Sequence, residues 1–375
     1  MLPDQTSKRI DPALEAALSR VHDPELRRPL VDLGMIEQAT LVDGRAEALV
    51  RLTITGCPAS QRIEHDVIEA LESVVGTGNA SVTLEVMSDE QRRALLASLR
   101  QGHRGNPFGE GTLTRVIAVT SGKGGVGKST ITANLAADLA ARGLDVGVLD
   151  ADVYGFSIPG QLGITTGPTK LDELMLPPIG HGVKAISIGM FVGAGKAVSW
   201  RGPMLQRTLQ QFLTDVHFGD LDVLLLDLPP GTGDVALTAG QLLPNAEVVV
   251  VTTPQEAASE VAVRAGLLAG QLGQKVAGVV ENMSWLQQGD ERIEVFGSGG
   301  GRRAADELSQ DLERPVPLLG QIPMSIPVRA GADIGQPVVL TAPEDPAAQA
   351  LHALATRLVE RPRGLQGRQL PLSVG

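Results

Sequence analysis

Eight residues, Gly122-Lys123-Gly124-Gly125-Val126-Gly127-Lys128-Ser129, constrain this 375-residue chain more than any other feature. They follow the spacing G-x-x-x-x-G-K-S, and their flanks are the ones a phosphate-binding P-loop needs. Before them stands VIAVTS, short and β-branched; after them Ile131, Leu135 and Leu139 recur at helical spacing. A strand, a glycine loop and a helix in that order form a cradle. The glycines let backbone N–H groups curl around phosphate oxygens without a Cβ in the way, and the helix N-terminus adds partial positive charge. Lys128 is then expected to hold the β- and γ-phosphates of ATP, and Ser129 to ligate magnesium. Without its flanking strand and helix, the same string would be a glycine-rich turn.

A loop of this kind needs a parallel sheet around it, and the sequence supplies one. VGVLD, VLLLD, VVVVTT and VAGVVEN are nearly continuous apolar runs, as expected of strands covered on both faces. Helical segments lie between most of them. Residues 113–360 are therefore expected to form an α/β domain with a doubly wound, mostly parallel sheet, leaving 361–375 as a disordered tail. Residues 1–90 read instead as a small α+β domain. Helical spacing over 13–21 stops at His22-Asp23-Pro24, and strand-like runs near 35–42 and 46–54 flank Asp43-Gly44, a hairpin signal. Ile63, Val67, Leu71 and Val74 then recur at helical spacing, and Val82, Leu84 and Val86 alternate as a strand. Residues 91–112 begin charged and helical and decay into QGHRGNPFGEG, which reads as a linker.

Three aspartates stand at the ends of core strands. Asp227 closes LDVLLLD before the glycine-containing loop LPPGTGD, the place from which a carboxylate orders magnesium beside a P-loop. Asp150 and Asp152 close another strand in VLDADVYG. Each aspartate alone could be a helix cap or a turn residue; their combination with the P-loop points to catalysis.

The second lysine, Lys123, makes the loop K-G-G-V-G-K-S, which resembles the deviant Walker A motif of the MinD/ParA-type NTPases. That resemblance implies a nucleotide-sandwich homodimer in which Lys123 reaches the partner's phosphates and adds positive charge in the transition state. SGKGGVGKST, VLDADVYGFSIP, WRGPM, LLLDLPPGTGD, ENMSW, FGSGGG and GQIPM together closely resemble the Mrp/ApbC family of P-loop iron–sulfur cluster carriers. DPELRRPLVDLGMI followed by TGCP resembles the SufT-like cluster-assembly domain often fused ahead of them. The resemblance spans roughly Ile10 to Glu360. It implies an ATP- and magnesium-dependent hydrolase that is a homodimer, holds an iron–sulfur cluster and passes it to apo-proteins. It also implies that Gly122 through Thr130 hold the nucleotide, that Asp152 orients the attacking water, and that Asn282 and Pro323 lie near the adenine.

One departure from the family is serious. Cluster-carrying members usually place C-x-x-C just after N-M-S, so that two subunits supply four thiolates. Here that segment runs from Asn282 to Asp290 without a cysteine, and the whole chain has one, Cys57. A homodimer would hold two thiols where about four ligands are normal, so the ligand set for a cluster is incomplete. Cys57 itself reads two ways. It stands before Pro58 and a predicted helix start, which would lower its thiol pKa and suit metal or cluster contact, or it is a small buried residue in a turn. The six histidines (His22, His65, His103, His181, His217, His352) show no ligand-spaced pattern, and Gly297–Gly301 is either a nucleotide-responsive loop or a flexible turn.

Composition narrows the alternatives. A net charge of −11 argues against nucleic acid as a partner, and no apolar run reaches the ~18 residues of a membrane span. The first residues, MLPDQTSKRIDP, lack a signal-peptide core, and a lone cysteine permits no internal disulfide, so a cytoplasmic enzyme is expected. The competing readings are an ATP-driven dimerisation switch of the MinD/ParA type and an ATP-binding scaffold, neither carrying a cluster. A MinD-like switch would end in a basic amphipathic helix. The tail, with Pro362 and Gly364, does not fit one.

Overall fold

A computed structural model describes residues 9–100, 106–153, 155–191, 202–289 and 291–359. The expected tail at 361–375, residues 101–105 of the expected linker, Tyr154, and Trp200-Arg201 of the WRGPM string lie outside the described residues. The chain divides into two compact units, one of residues 1–104 with 169–176, the other of residues 105–168 and 177–375.

The first unit contains β1 (Arg9–Ile10), α1 (Pro12–Leu18), β2 (Ile36–Val42), β3 (Arg45–Leu52), α2 (Ser60–Val75), β4 (Ala80–Val86) and α3 (Asp89–Arg100). Its sheet has the order β1-β2-β3-β4, with an antiparallel β2–β3 hairpin between two parallel pairs. The hairpin turns at Asp43 and Gly44, both at positive φ (49° and 79°), the combination a type I′ turn requires. Asp11 caps α1 by accepting from the N–H of Ala13 at 2.9 Å, and Pro12 sits where its missing N–H costs nothing. Leu14 and Leu18 of α1 and Ile63, Val67 and Leu71 of α2 pack into one core with alternate residues of β3.

Two elements extend that core. α3 buries Leu95, Leu96 and Leu99 in it, as do Leu171, Leu174 and Leu176 of a hairpin much later in the chain. Residues 91–100 therefore form a core-packed helix rather than a linker, and the unit does not end at residue 90. The charged face of α3 concealed its apolar stripe. Arg27, between α1 and β2, has φ 54°, a left-handed conformation that costs a non-glycine residue about 1–2 kcal/mol.

The second unit begins with β5 (Arg115–Ser121), α4 (Lys128–Ala141), β6 (Val146–Asp150) and α5 (Ile158–Gln161). The chain then lends the hairpin β7 (Thr169–Leu171) and β8 (Leu174–Leu176) to the first unit and returns through β9 (Ile179–Gly180) and β10 (Val183–Ser187). There follow α6 (Gly202–Asp215), β11 (Val223–Asp227), α7 (Asp234–Leu242), β12 (Glu247–Thr252), α8 (Glu256–Gln271) and β13 (Lys275–Gln288). The last elements are β14 (Glu291–Ile293), α9 (Gly300–Asp311), β15 (Leu318–Met324), α10 (Ile326–Ile334), α11 (Val338–Thr341) and α12 (Pro346–Val359).

The sheet runs β14-β13-β12-β5-β11-β6-β10-β9, with β15 also on β13. Only β9 and β14 are antiparallel to their neighbours. The central strands are buried along their length, as their unbroken apolar runs predict. α4 is buried nearly all round, with α12 packed beside it through Leu351, Leu354 and Leu358. β5, β6 and β11 are neighbours, so the loops at their C-terminal ends converge, which is where open α/β sheets bind ligands. No helix among the described residues is long and apolar enough to cross a membrane.

Candidate active site

β5 ends at Ser121, residues 122–127 form the loop, and α4 starts at Lys128. The glycines answer two different needs. At Gly122 a Cβ would lie 2.3 Å from the backbone of Val261, and at Gly127, in the left-handed region at φ 85°, it would lie 2.2 Å from Asn282 Nδ2. These two let the loop press against α8 and β13. A Cβ at Gly125 would meet nothing within 4 Å, so this side of the loop is open. It faces a cleft of about 360 Å³ lined by Lys123 through Thr130 together with Asp152, Gly155 and Gln161.

The polar floor of the cleft is a connected set. Lys128 Nζ lies 2.8 Å from Asp227 Oδ2 and 3.5 Å from Asp152 Oδ2, and it donates to Ser129 Oγ at 3.2 Å. Ser129 Oγ donates to Asp227 Oδ2 at 2.5 Å, and Thr132 Oγ1 to Asp227 Oδ1 at 2.9 Å. Asp150 stands beside Asp227 in the β6–β11 ladder. It accepts from Ser187 Oγ at 2.9 Å and from the N–H of Asp152 at 3.1 Å. Asp152 in turn accepts from the N–H of Gly155 at 3.0 Å.

Burial pushes the Asp150 carboxyl up to about 7, and the charge of Asp227 pushes the same way. Burial also raises Asp227, against the opposing pull of Lys128, Ser129 and Thr132. The floor is therefore short of positive charge. A hydroxyl and a carboxylate 2.5 Å apart are hard oxygen donors of the kind magnesium takes, so Ser129 and Asp227 fit that ion.

The other anticipated residues fall around this core. Lys123 is exposed at the rim, and its carbonyl accepts from Ser121 Oγ at 3.0 Å. Asn282 Nδ2 donates to the carbonyl of Val126 at 2.8 Å, so Asn282 buttresses the loop from β13. Pro323 is buried on β15, next to Ile322, the ladder partner of Asn282. Gly231 of the LPPGTGD loop donates to the Ser121 carbonyl at 2.7 Å, tying that loop to the end of β5.

Sequence reasoning missed three features. Asp150 carries a carboxyl pushed up to about 7, chiefly by burial and then by the charge of Asp227, its partner in the β6–β11 ladder. Glu281 is buried and accepts from the N–H of Gly301 at 2.6 Å and from Gln321 Nε2 at 2.7 Å. The glycine stretch is thus pinned at the start of α9, where Gly300 lies too close to Pro254 for any side chain. On α2, His65, Asp66 and Glu69 bring ligand atoms within 4.8 Å of one another, a juxtaposition that the scatter of the histidines along the sequence did not show. They are surface groups, with His65 and Glu69 4.0 Å apart as an i,i+4 pair.

Cys57 is buried in the core of the first unit. Burial raises its thiol pKa, Glu25 and Asp23 add to the rise, and the N–H groups of Ala59 and Ser60 oppose it. Of the two readings of Cys57, the small buried residue is the one the structure favours, since desolvation outweighs the helix N-terminus. Where the family motif would place C-x-x-C, β13 continues to Gln288 and turns back as β14, with Arg292 stacked 4.3 Å over the Trp285 ring.

A doubly wound sheet with this loop, lysine, serine and aspartate set defines a P-loop NTPase. Residues 112–359 match the family described as NUBPL iron-transfer P-loop NTPase, and residues 12–84 match the one described as iron-sulfur cluster assembly protein. The chain is 53% identical over 368 residues to a *Mycobacterium tuberculosis* protein named iron-sulfur cluster carrier protein, covering 97% of each. It is 43% identical over 352 residues to a *Deinococcus radiodurans* protein of the same name, covering 92% of this chain and 94% of that one. A solved nucleotide-binding protein from *Archaeoglobus fulgidus*, in complex with ADP, is 34% identical with a TM-score of 0.50, covering 59% of this chain and 87% of that one. The chain belongs to the NUBPL-type iron-transfer P-loop NTPase family.

Proposed function

We propose that this protein is a cytoplasmic, magnesium-dependent ATPase that assembles or carries iron–sulfur clusters and delivers them to apo-proteins. The observation that carries the reading is the Lys128–Ser129–Asp227–Asp152 set on the floor of the P-loop cleft, in a chain matching cluster-carrier relatives over 97% of its length. The loop N–H groups and Lys128 hold the phosphates. Ser129 and Asp227 hold magnesium, whose charge offsets the buried carboxylates. Asn282 and Pro323 border the nucleotide on its adenine side. Asp152 orients a water for attack on the γ-phosphorus, releasing ADP and phosphate. Lys123, exposed at the rim, completes the site of a second copy in a homodimer and stabilises negative charge on the phosphate being transferred.

The cluster is cargo, and this chain does not hold it by the family's usual cysteines. Two chains offer two Cys57 thiols, so small thiols, carboxylates or a partner protein supply the rest. Anaerobic reconstitution with iron and sulfide, read by iron content and visible absorption, tests this. Some iron–sulfur chromophore is expected. Its complete absence favours the second reading, an ATP-driven switch or scaffold, for which the burial of Cys57 and the cysteine-free β13–β14 hairpin speak.

A further inference from the structure

A carboxylate that orients an attacking water has to be held still, and Asp152 stands in a loop, two residues past the end of β6. Its support comes from β10. The ladders of β6 with β10 and with β11 put Ser187, Asp150 and Asp227 side by side, each the last residue of its strand. Ser187 is completely buried and lies outside the lining of the P-loop cleft. Its hydroxyl donates to Asp150 Oδ2 at 2.9 Å and accepts from the N–H of Gly189 at 3.1 Å, which fixes its direction. The other oxygen of that carboxylate, Asp150 Oδ1, accepts from the N–H of Asp152 at 3.1 Å. Asp150 therefore bridges β10 and the loop with one oxygen on each side. Asp152 Oδ1 accepts from the N–H of Gly155 at 3.0 Å, so Oδ2 is the oxygen turned to Lys128 Nζ, 3.5 Å away.

The far end of the same loop is held from the same place. Beyond Ser187 the chain makes a single 3₁₀ turn, Ile188–Phe191, and Phe156 lays its ring on Gly189 within it. A Cβ at Gly189 would sit 2.3 Å from Phe156 Cδ2 and 2.4 Å from its Cγ. Gly189 is not in the left-handed region, so the closeness of the ring, and not the backbone, is what demands glycine there. Phe156 stays half exposed, so it adds less to the core than a buried ring would, and the contact suits placement of the loop better than stability. Two residues of one turn thus grip both ends of the segment that carries Asp152.

We infer that Ser187 and Gly189 are positioning residues for hydrolysis, fixing the segment from Asp150 to Phe156 so that Asp152 Oδ2 stays in the cleft. The inference rests on the role proposed above for Asp152. Neither residue reaches the nucleotide; both act through a carboxylate whose placement decides the rate.

Single-turnover hydrolysis and ATP titration of the full chain, with magnesium, test this. Asp152→Asn is expected to slow hydrolysis about a hundredfold. Ser187→Ala and Gly189→Ala should each slow it about tenfold while ATP affinity stays within about twofold. Neither should slow it further when added to Asp152→Asn, because both act through that side chain. A merely structural role would lower ATP affinity as well and would add to the loss in Asp152→Asn. Gly189→Ala displaces only a half-exposed ring, so it decides the matter if Ser187→Ala fails to fold. Wild-type hydrolysis in either single variant, or a further loss of about tenfold in the double variants, overturns the inference; a slow Asp152→Asn then leaves the proposed function standing. Wild-type hydrolysis in Asp152→Asn removes the role proposed for that residue, and the inference falls with it.

Discussion

At the scale of single residues, the proposed function divides the work of the two P-loop lysines between ground state and transition state. Lys128 makes the charged contacts of the cleft floor, so Lys128→Ala should weaken ATP binding by about 2–3 kcal/mol or more, measured by nucleotide titration. Lys123 touches none of that floor, and Lys123→Ala should bind ATP normally yet hydrolyse it roughly 10²–10³-fold more slowly in a single-turnover assay. Normal turnover would remove Lys123 from the chemistry. The site also makes the apoprotein sensitive to pH. The folded Asp150 carboxyl titrates near 7 against an ordinary 3.8, so the folded state binds the extra proton. Stability therefore falls as pH rises from about 4 through 7, and the loss is complete above 7. Urea unfolding across this range should show that slope flattened in Asp150→Asn, a comparison in which Asp23 and Glu25, also raised by burial, cancel. The P-loop, Asp152 and Asp227 were legible in the sequence because spacing and strand ends encode them. Asp150 was visible as a residue but not as a perturbed acid, since its burial and its Asp227 neighbour exist only once β6 and β11 pair.

At the scale of elements, the strands of the larger sheet announced themselves through unbroken apolar runs, and the Asp43-Gly44 hairpin through its turn residues. α3 was legible as a helix and illegible as core. DEQRRALLASLR is dominated by charge, and the three leucines that matter acquire a partner only from β-strands and a hairpin distant in sequence. Leu95→Ala should therefore destabilise the first unit by about 2–4 kcal/mol in denaturant unfolding while leaving ATP affinity unchanged. A surface linker helix would lose less than about 0.5 kcal/mol. The hairpin at 169–176 escaped sequence reading altogether. Three-residue strands carry almost no periodic signal, and nothing local says that a segment of one unit belongs to the core of the other.

At the scale of the whole molecule, the nucleotide site and Cys57 belong to different units, and ATP hydrolysis should survive Cys57→Ser at close to the wild-type rate. The same substitution should abolish whatever cluster reconstitution yields, as iron analysis would register. A stoichiometric cluster in the variant would mean that the ligands are not thiols of this chain. One strand carries a further consequence. β13 holds Asn282 against the Val126 carbonyl, passes through Met283 at φ 57°, and two residues later presents Trp285 under Arg292. An indole within three positions of a P-loop contact is a built-in optical gauge. A change in its contact with the stacked guanidinium would alter its emission, so binding of ATP should be readable in unlabelled protein as a change in tryptophan fluorescence. With Trp200→Phe removing the chain's other indole, the signal would report Trp285 alone and give a direct clock for nucleotide arrival and release.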